Sequence, residues 1–148
     1  MAFDIVECEP MDGESRNGFV GLVLVSHSAE IADGLAKLVA QVAGPSVPIV
    51  AAGGGPEGTL GTDGGRVLGA LQEAAGSSGA VVLMDLGSSV LSVRAALGEL
   101  PEETVARLRI ADAPLVEGAI AAGVTASTGG SLDEVLAAAQ EARTVAKL

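Results

Sequence analysis

The sequence predicts an α/β domain in which an open, mostly parallel sheet of four to five strands carries helices on both faces. Short apolar runs alternate along the chain with longer stretches whose apolar residues recur every three or four positions, a pattern typical of strands followed by amphipathic helices. Hydrophobic residues make up 49% of the 148 residues, yet only two of them, both phenylalanines, are aromatic. A core of Val, Leu, Ile and Ala suits helices packed closely on a buried parallel sheet.

Four segments are predicted to be strands. Residues 19–25 form a continuous apolar run whose length fits a strand buried on both faces. Residues 47–52 and 80–85 are also short and apolar and receive the same interpretation. Residues 105–110 alternate apolar residues with two arginines, which predicts a half-buried fourth strand.

The segments between and after the strands are predicted helices, because they carry typical start and stop signals. The residues predicted to begin or cap them are Ser28, Asp63, Gly87, Pro114 and Ser131. Their predicted ends are Gly44-Pro45, Gly76, Leu100-Pro101 and Gly129-Gly130. Repeated strand–helix units imply parallel strands joined by helical crossovers.

The first residues of the chain differ from the rest. Residues 1–17 are rich in acidic side chains and show no sustained periodicity, which predicts a flexible N-terminal tail before a single domain at residues 18–148. The alternative is an additional edge strand at residues 3–6. Cys8 is the only cysteine, so an internal disulfide is impossible.

Charge and hydropathy narrow the range of partners. The net charge of −11 disfavours nucleic acid and anionic membrane surfaces and favours a basic protein surface. No segment reaches the roughly 18 to 20 consecutive apolar residues that span a bilayer. The N-terminus lacks the basic start and apolar core of a secretory signal. We therefore expect a cytoplasmic protein with no membrane partner.

Two candidate catalytic residues follow buried strands, His27 after the first and Asp85 at the end of the third. Sites in open parallel sheets lie beyond the carboxyl ends of the strands, where the strand order reverses. A carboxylate that accepts a hydrogen bond from one imidazole nitrogen fixes the tautomer and leaves the other nitrogen nucleophilic. The alternatives are an exposed or structural histidine and a carboxylate that only caps the next helix.

A glycine-rich loop at residues 53–65 is the third candidate segment. Residues 53–58 match the G-x-G-x-x-G pattern of a dinucleotide-binding turn, but Pro56 and Glu57 occupy the positions where a helix should begin next to the pyrophosphate. The loop also lacks the lysine of a P-loop. We therefore expect no bound nucleotide. Such a loop still allows backbone N–H groups near a phosphoryl group, and a hydroxyl accompanies them at Thr62. The predicted phosphoryl-binding residues are Ser28, Gly61, Thr62, Gly87 and Ser88.

Metal and cofactor chemistry is not indicated. The chain has one histidine, one cysteine and no tight carboxylate cluster at the predicted strand ends, so no metal site is predicted. The G-x-S-x-G turn of serine hydrolases is absent as well. We expect the chain to need no cofactor of its own.

Four motifs in order resemble the phosphotransferase subunits of dihydroxyacetone kinases, relatives of the mannose-type enzyme IIA domains of the bacterial phosphotransferase system. The motifs are Gly21-Leu-Val-Leu-Val-Ser-His-Ser28, Gly61-Thr62, Met84-Asp-Leu-Gly-Ser88 and Ala113-Pro-Leu-Val-Glu-Gly-Ala119. The resemblance runs from about residue 19 to residue 148, and it implies a flavodoxin-like fold and a homodimer.

The resemblance also implies a reaction. The histidine-containing phosphocarrier protein would phosphorylate His27 on Nε2, with Asp85 as the orienting partner. The phosphoryl group would then pass to ADP held on the L subunit of the kinase, whose third subunit binds dihydroxyacetone covalently. The chain departs from the family after Asp85: Ser89, Leu91 and Ser92 stand where the family more often has Ala and a Met-Asn pair.

Two other functions remain open at this point. A mannose-type enzyme IIA of a sugar transporter would use the same histidine chemistry with a membrane-linked acceptor. A non-enzymatic, flavodoxin-like regulatory module would carry His27 only as an exposed side chain.

Overall fold

A computed structural model describes residues 18–148. The predicted flexible tail at residues 1–17 and its alternative, an edge strand at residues 3–6, lie outside the described residues. None of the helices described is long and apolar enough to cross a membrane.

Within residues 18–148 the sheet has four strands, all parallel, which confirms the predicted fold class. The strands are β1 (Gly21–Ser26), β2 (Ile49–Gly53), β3 (Ala80–Met84) and β4 (Leu108–Ile110). Their order across the sheet is β2-β1-β3-β4. The chain therefore adds β2 on one side of β1 and then crosses back to place β3 on the other side.

Helices cover both faces of this sheet. They are α1 (Ala29–Ala43), α2 (Gly64–Ala75), α3 (Gly87–Leu97), the single turn α4 (Glu102–Val105), α5 (Leu115–Ser127) and α6 (Leu132–Glu141). Helices α1, α5 and α6 pack on one face, while α2 and α3 pack on the other. Alternate residues of β1 supply both cores: Leu22 and Leu24 point to the first face, Val23 and Val25 to the second.

The predicted helix starts agree closely with the structure. The Ser28 hydroxyl accepts a hydrogen bond from the Ile31 N–H, and the Asp63 carboxylate accepts from the first turn of α2. Ser131 opens α6 with both hydrogen bonds of a capping box. Pro114 is the N-cap of α5 rather than its first residue, because its ψ of 136° is extended and not helical.

The fourth strand was predicted too long. Residues 105–110 do not form one strand, since Val105 ends α4 and β4 begins only at Leu108. Pro101 precedes α4, and two glutamates occupy its first turn, where the helix dipole favours negative charge. A single helical turn therefore replaces the first half of the predicted strand. Helix α3 is also shorter than predicted, because it ends at Leu97, before Gly98.

Candidate active site

The strand order reverses between β1 and β3, and both candidate catalytic residues lie at that point. His27 follows β1 directly, and Asp85 follows β3. Because β1 and β3 are neighbours in parallel register, with Val25 opposite Met84, the next residues of both strands reach the same edge of the sheet. The structure brings these two side chains into direct contact, as the sequence predicts.

The imidazole of His27 is hydrogen-bonded to the carboxylate of Asp85. Its Nδ1 lies 3.0 Å from Oδ1 of Asp85. An ionised carboxylate only accepts hydrogen bonds, so Nδ1 carries the proton and Nε2 keeps its lone pair. The side chain of His27 is 26% exposed and that of Asp85 is 16% exposed, which leaves the ring accessible and its partner largely covered.

Asp85 is held by donors on both oxygens. Oδ2 accepts hydrogen bonds from the Ser26 hydroxyl and from the backbone N–H of His27, each at 2.9 Å. Oδ1 accepts from the Ser89 hydroxyl at 2.8 Å and from the Leu86 N–H at 2.7 Å, in addition to the His27 ring. Burial alone would raise the pKa of Asp85, but the hydrogen bonds from His27, Ser89 and Ser26 outweigh it and hold that pKa far below its usual value.

Ser88 contacts the other side of the imidazole ring. Its Oγ lies 2.7 Å from Nε2 of His27, and in this tautomer the hydroxyl donates to the nitrogen lone pair. Gly87 and Ser88 open α3, and helix geometry gives the backbone N–H groups of a first turn no partner within the helix. Ser88 therefore places a hydroxyl and the N-terminus of a helix beside the nitrogen that keeps its lone pair.

Ser28 connects the histidine to the start of α1. Its hydroxyl caps the helix, and its backbone N–H donates to the hydroxyl of Ser26 at 3.1 Å. The N-terminus of α1 thus begins two residues after His27. Helices α1 and α3 both direct the positive ends of their dipoles toward this edge of the sheet.

The glycine-rich loop is hydrogen-bonded to the backbone of the histidine segment. The N–H of Gly61 donates to the carbonyl of His27 at 2.8 Å, and the N–H of Gly54 donates to the carbonyl of Ser26 at 3.0 Å. The Gly61 N–H is therefore already engaged with the protein backbone. The Thr62 hydroxyl lies 2.7 Å from that of Ser92, on α3.

The close approach of this loop explains one of its glycines. A Cβ on Gly53 would lie 2.6 Å from the Cβ of Ala32 and 2.6 Å from the carbonyl oxygen of Ser28. After β2 the chain makes a short 3-10 turn, Pro56–Gly58, and α2 begins only at Gly64. No helix N-terminus directly follows β2, so the loop lacks the geometry of a dinucleotide-binding turn.

Two polar residues of the site were missed by sequence reasoning. Ser26 and Ser89 are fully buried, and both donate hydrogen bonds to Asp85. Ser26 ends an otherwise apolar strand, and Ser89 lies four residues after Asp85, in the first turn of α3. A hydroxyl at a buried position was the available signal, because such groups need a partner. Among residues 18–148, no group of three or more His, Cys, Asp or Glu side chains has the arrangement of a metal site.

The fold and the site together define a flavodoxin-like α/β protein that presents one histidine nitrogen at the point where its strand order reverses. Residues 21–136 match the family model described as the fructose IIA component of the phosphotransferase system. The chain belongs to this enzyme IIA family, in the group of DhaM-type phosphoryl donor subunits.

Three similar proteins illustrate the relationship. The phosphoryl donor subunit DhaM of the PEP-dependent dihydroxyacetone kinase of Providencia stuartii is 40% identical over 83% of this chain, which spans 26% of that protein's length. The corresponding subunit of kinase 2 from Listeria innocua is 35% identical over 79% of this chain and 94% of its own length. The crystal structure of EF1359, a protein of unknown function, has 36% identity and a TM-score of 0.73, covering 81% of this chain and 92% of EF1359.

Proposed function

We propose that this chain is a phosphoryl carrier that takes a phosphoryl group on Nε2 of His27 and passes it to a nucleotide bound by a kinase subunit. The donor we propose is the histidine-containing phosphocarrier protein. The acceptor is ADP on the L subunit of a dihydroxyacetone kinase. The observation that carries the proposal is the hydrogen bond from Nδ1 of His27 to Asp85, because it leaves the lone pair on Nε2, which can attack phosphorus once the Ser88 hydroxyl turns away.

The reaction consists of two phosphoryl transfers. First, the Nε2 lone pair attacks the phosphorus of the donor's phosphohistidine; the new P–N bond forms as the donor's P–N bond breaks. Second, a β-phosphate oxygen of ADP attacks the phosphorus on His27, and the P–Nε2 bond breaks to give ATP. Nε2 regains its lone pair, so the carrier returns to its starting state. Positioning and charge stabilisation supply most of the catalysis in such transfers.

The groups around Nε2 suit a transferring phosphoryl group. The Ser88 hydroxyl, 2.7 Å from Nε2, is placed to rotate and donate to a phosphoryl oxygen once the nitrogen is occupied. The N–H groups of Gly87 and Ser88 and the N-terminus of α1 supply further donors and partial positive charge. We also propose that the phosphoryl group is bound next to Ser28, Gly61 and Thr62, with the Gly61 N–H remaining on the His27 carbonyl.

Intact-mass analysis tests the first transfer. The chain is incubated with enzyme I, the phosphocarrier protein and phosphoenolpyruvate, and His27→Ala serves as the matched variant. Because the chain has one histidine, we expect a gain of one phosphate in the wild type only, labile to acid and stable to base. No gain in a folded wild-type protein would overturn the proposal and favour the non-enzymatic module.

The acceptor is tested separately with the phosphorylated chain. Added L subunit with bound ADP should remove the phosphate and form ATP, while a sugar transporter's membrane-linked domains should not. Loss of phosphate only to the transporter domains would make the chain an enzyme IIA of a sugar transporter. We propose that the exchange takes place in the cytoplasm, the compartment that the sequence predicts.

We also propose that the chain forms a homodimer, as its resemblance to the family implies. Helix α1 exposes Ile31, Leu38 and Val42, each about half accessible, at seven- and four-residue spacing along one side. The neighbouring α5 exposes Val116 and Val124. Light scattering should give twice the monomer mass, and Leu38→Glu should halve it; a wild-type monomer at high concentration would contradict the proposal.

A further inference from the structure

Ser89 contacts both members of the His27–Asp85 pair. Its Oγ lies 2.8 Å from Oδ1 of Asp85 and 3.2 Å from Nδ1 of His27. The residue is completely buried in the first turn of α3. Within this pair, by comparison, the Ser26 hydroxyl contacts Oδ2 of Asp85 and the Ser88 hydroxyl contacts Nε2 of His27.

The protons of this cluster can be assigned from its donors and acceptors. Asp85 accepts only, so the single hydroxyl proton of Ser89 points to Oδ1. The Leu86 N–H and the His27 Nδ1–H point to the same oxygen. Three donors therefore share Oδ1, and each weakens the pull of that oxygen on the other two protons.

This sharing matters most after His27 is phosphorylated. A ring with a phosphoryl group on Nε2 and a proton on Nδ1 is cationic, and a cationic N–H is a stronger donor than a neutral one. A carboxylate with fewer competing donors would hold this proton more tightly. The carboxylate would then stabilise the phosphorylated ring and make the imidazole a poorer leaving group.

We propose that Ser89 is a positioning residue that sets how readily His27 gives up its phosphoryl group. Its hydroxyl competes with the Nδ1 proton of His27 for Oδ1 of Asp85, and so weakens the hydrogen bond between the ring and the carboxylate. The statement about transfer rests on the proposed function; the hydrogen-bond link from Ser89 through Asp85 to the ring does not. Ser89→Ala removes one donor from Oδ1 and leaves the contacts of Asp85 with His27 and Leu86 in place.

The phosphorylation equilibrium is the first readout. The chain is mixed with the phosphorylated phosphocarrier protein, and the two phosphorylated forms are quantified by intact mass. Ser89→Ala should shift the equilibrium roughly three- to tenfold toward phosphorylated His27, the effect of about one ordinary hydrogen bond. The transfer rate to the L subunit should fall by a similar factor. A variant that is merely less well folded would not hold its phosphate more strongly.

Two further variants sharpen the comparison. Ser26→Ala removes a donor from Oδ2 of the same carboxylate, so it should shift the equilibrium in the same direction. Ser127→Ala, at the end of α5, makes the same chemical change where the hydroxyl donates to the Val124 carbonyl, and it should leave the equilibrium unchanged. A Ser89→Ala equilibrium within twofold of wild type, or shifted toward the donor, overturns the proposal.

Nuclear magnetic resonance of the unphosphorylated protein gives a readout that does not depend on the proposed function. The single histidine yields one Nδ1–H signal, whose proton shift increases as its hydrogen bond strengthens. Ser89→Ala should move this signal downfield, and Ser127→Ala should not move it. If the wild type accepts no phosphate but the signal moves, the proposed function fails and the positioning role stands. An unmoved signal refutes the positioning role.

Discussion

Asp85→Asn is the substitution that tests the site most directly, because it keeps the shape of the side chain and removes its charge. Asp85 accepts five hydrogen bonds, from Ser26, the backbone N–H and the ring of His27, Leu86 and Ser89. An asparagine has one accepting oxygen and one donating NH₂ group. If its oxygen remains beside Nδ1, its NH₂ group must face the backbone N–H of His27, where two donors meet.

The expected loss of stability follows from that mismatch. At least one hydrogen bond to a charged group is lost and one buried donor has no acceptor, and each such defect costs about 1–3 kcal/mol. We therefore expect the free energy of unfolding to fall by about 2–6 kcal/mol at pH 7, measured by chemical denaturation. If the amide rotates instead, its NH₂ group faces Nδ1 and favours the tautomer with a protonated Nε2.

The same substitution should slow phosphorylation of His27. Without a carboxylate to stabilise the cationic ring and fix its tautomer, the initial rate should fall by roughly a hundredfold or more. The assay is intact mass against time with the phosphocarrier system. An Asp85→Asn variant that is phosphorylated at the wild-type rate would refute the assigned role of the carboxylate.

The stability difference between wild type and Asp85→Asn should depend on pH. The folded-state pKa of Asp85 lies below its unfolded value, so ionised Asp85 stabilises the folded state above the unfolded pKa, near 4. That contribution is lost as the pH falls through the lower folded-state pKa. The wild-type advantage should therefore shrink as the pH falls below about 4. An advantage that stays constant down to pH 2 would contradict this.

Four further substitutions have defined outcomes. Gly53→Ala should lower the free energy of unfolding by about 1–3 kcal/mol, because the added Cβ would collide with Ala32 and the Ser28 carbonyl. Gly34→Ala in α1 should raise the free energy of unfolding by about 0.5–1 kcal/mol, because the added Cβ would meet no atom within 4 Å and alanine favours the helix. Ser131→Ala should cost about 1 kcal/mol by removing the capping box of α6, with phosphorylation unchanged. Loss of the hydroxyl beside Nε2 in Ser88→Ala should slow phosphorylation of His27 about tenfold without changing thermal stability.

Much of the fold could be predicted because its signals are local. Each buried strand is a short apolar run, and the caps of α1, α2 and α6 depend on side chains within a few residues of the helix start. The error at residues 105–110 has a different origin. The alternation of apolar residues with Arg107 and Arg109 is typical of a strand, but the structure pairs β3 with residues Leu108–Ile110 alone. The local sequence does not specify which residues will have a pairing partner on the neighbouring strand.

The candidate site could be predicted only in outline. Placing His27 and Asp85 on one edge needs no more than the order of the strands and the rule for their carboxyl ends. The contact of Ser26 with Asp85 depends on the pairing of β1 with β3, and the burial of Ser89 depends on how α3 packs against β3 and α2. Neither arrangement is specified by a local sequence pattern. Likewise, the engagement of the Gly61 N–H by the His27 carbonyl depends on the path of the loop.

The composition of the site bears on how long it holds a phosphoryl group. Among residues 18–148, the side chains within hydrogen-bonding distance of the His27 ring belong to Asp85, Ser88 and Ser89, and none of them is cationic. Next to the ring, the N-termini of α1 and α3 supply positive potential, each equivalent to about half a charge, on a chain whose net charge is −11. Partial charges and hydroxyls stabilise a phosphoryl group less than an ion pair with Arg or Lys does. A group held in this way can be passed on, whereas an ion pair would favour its retention.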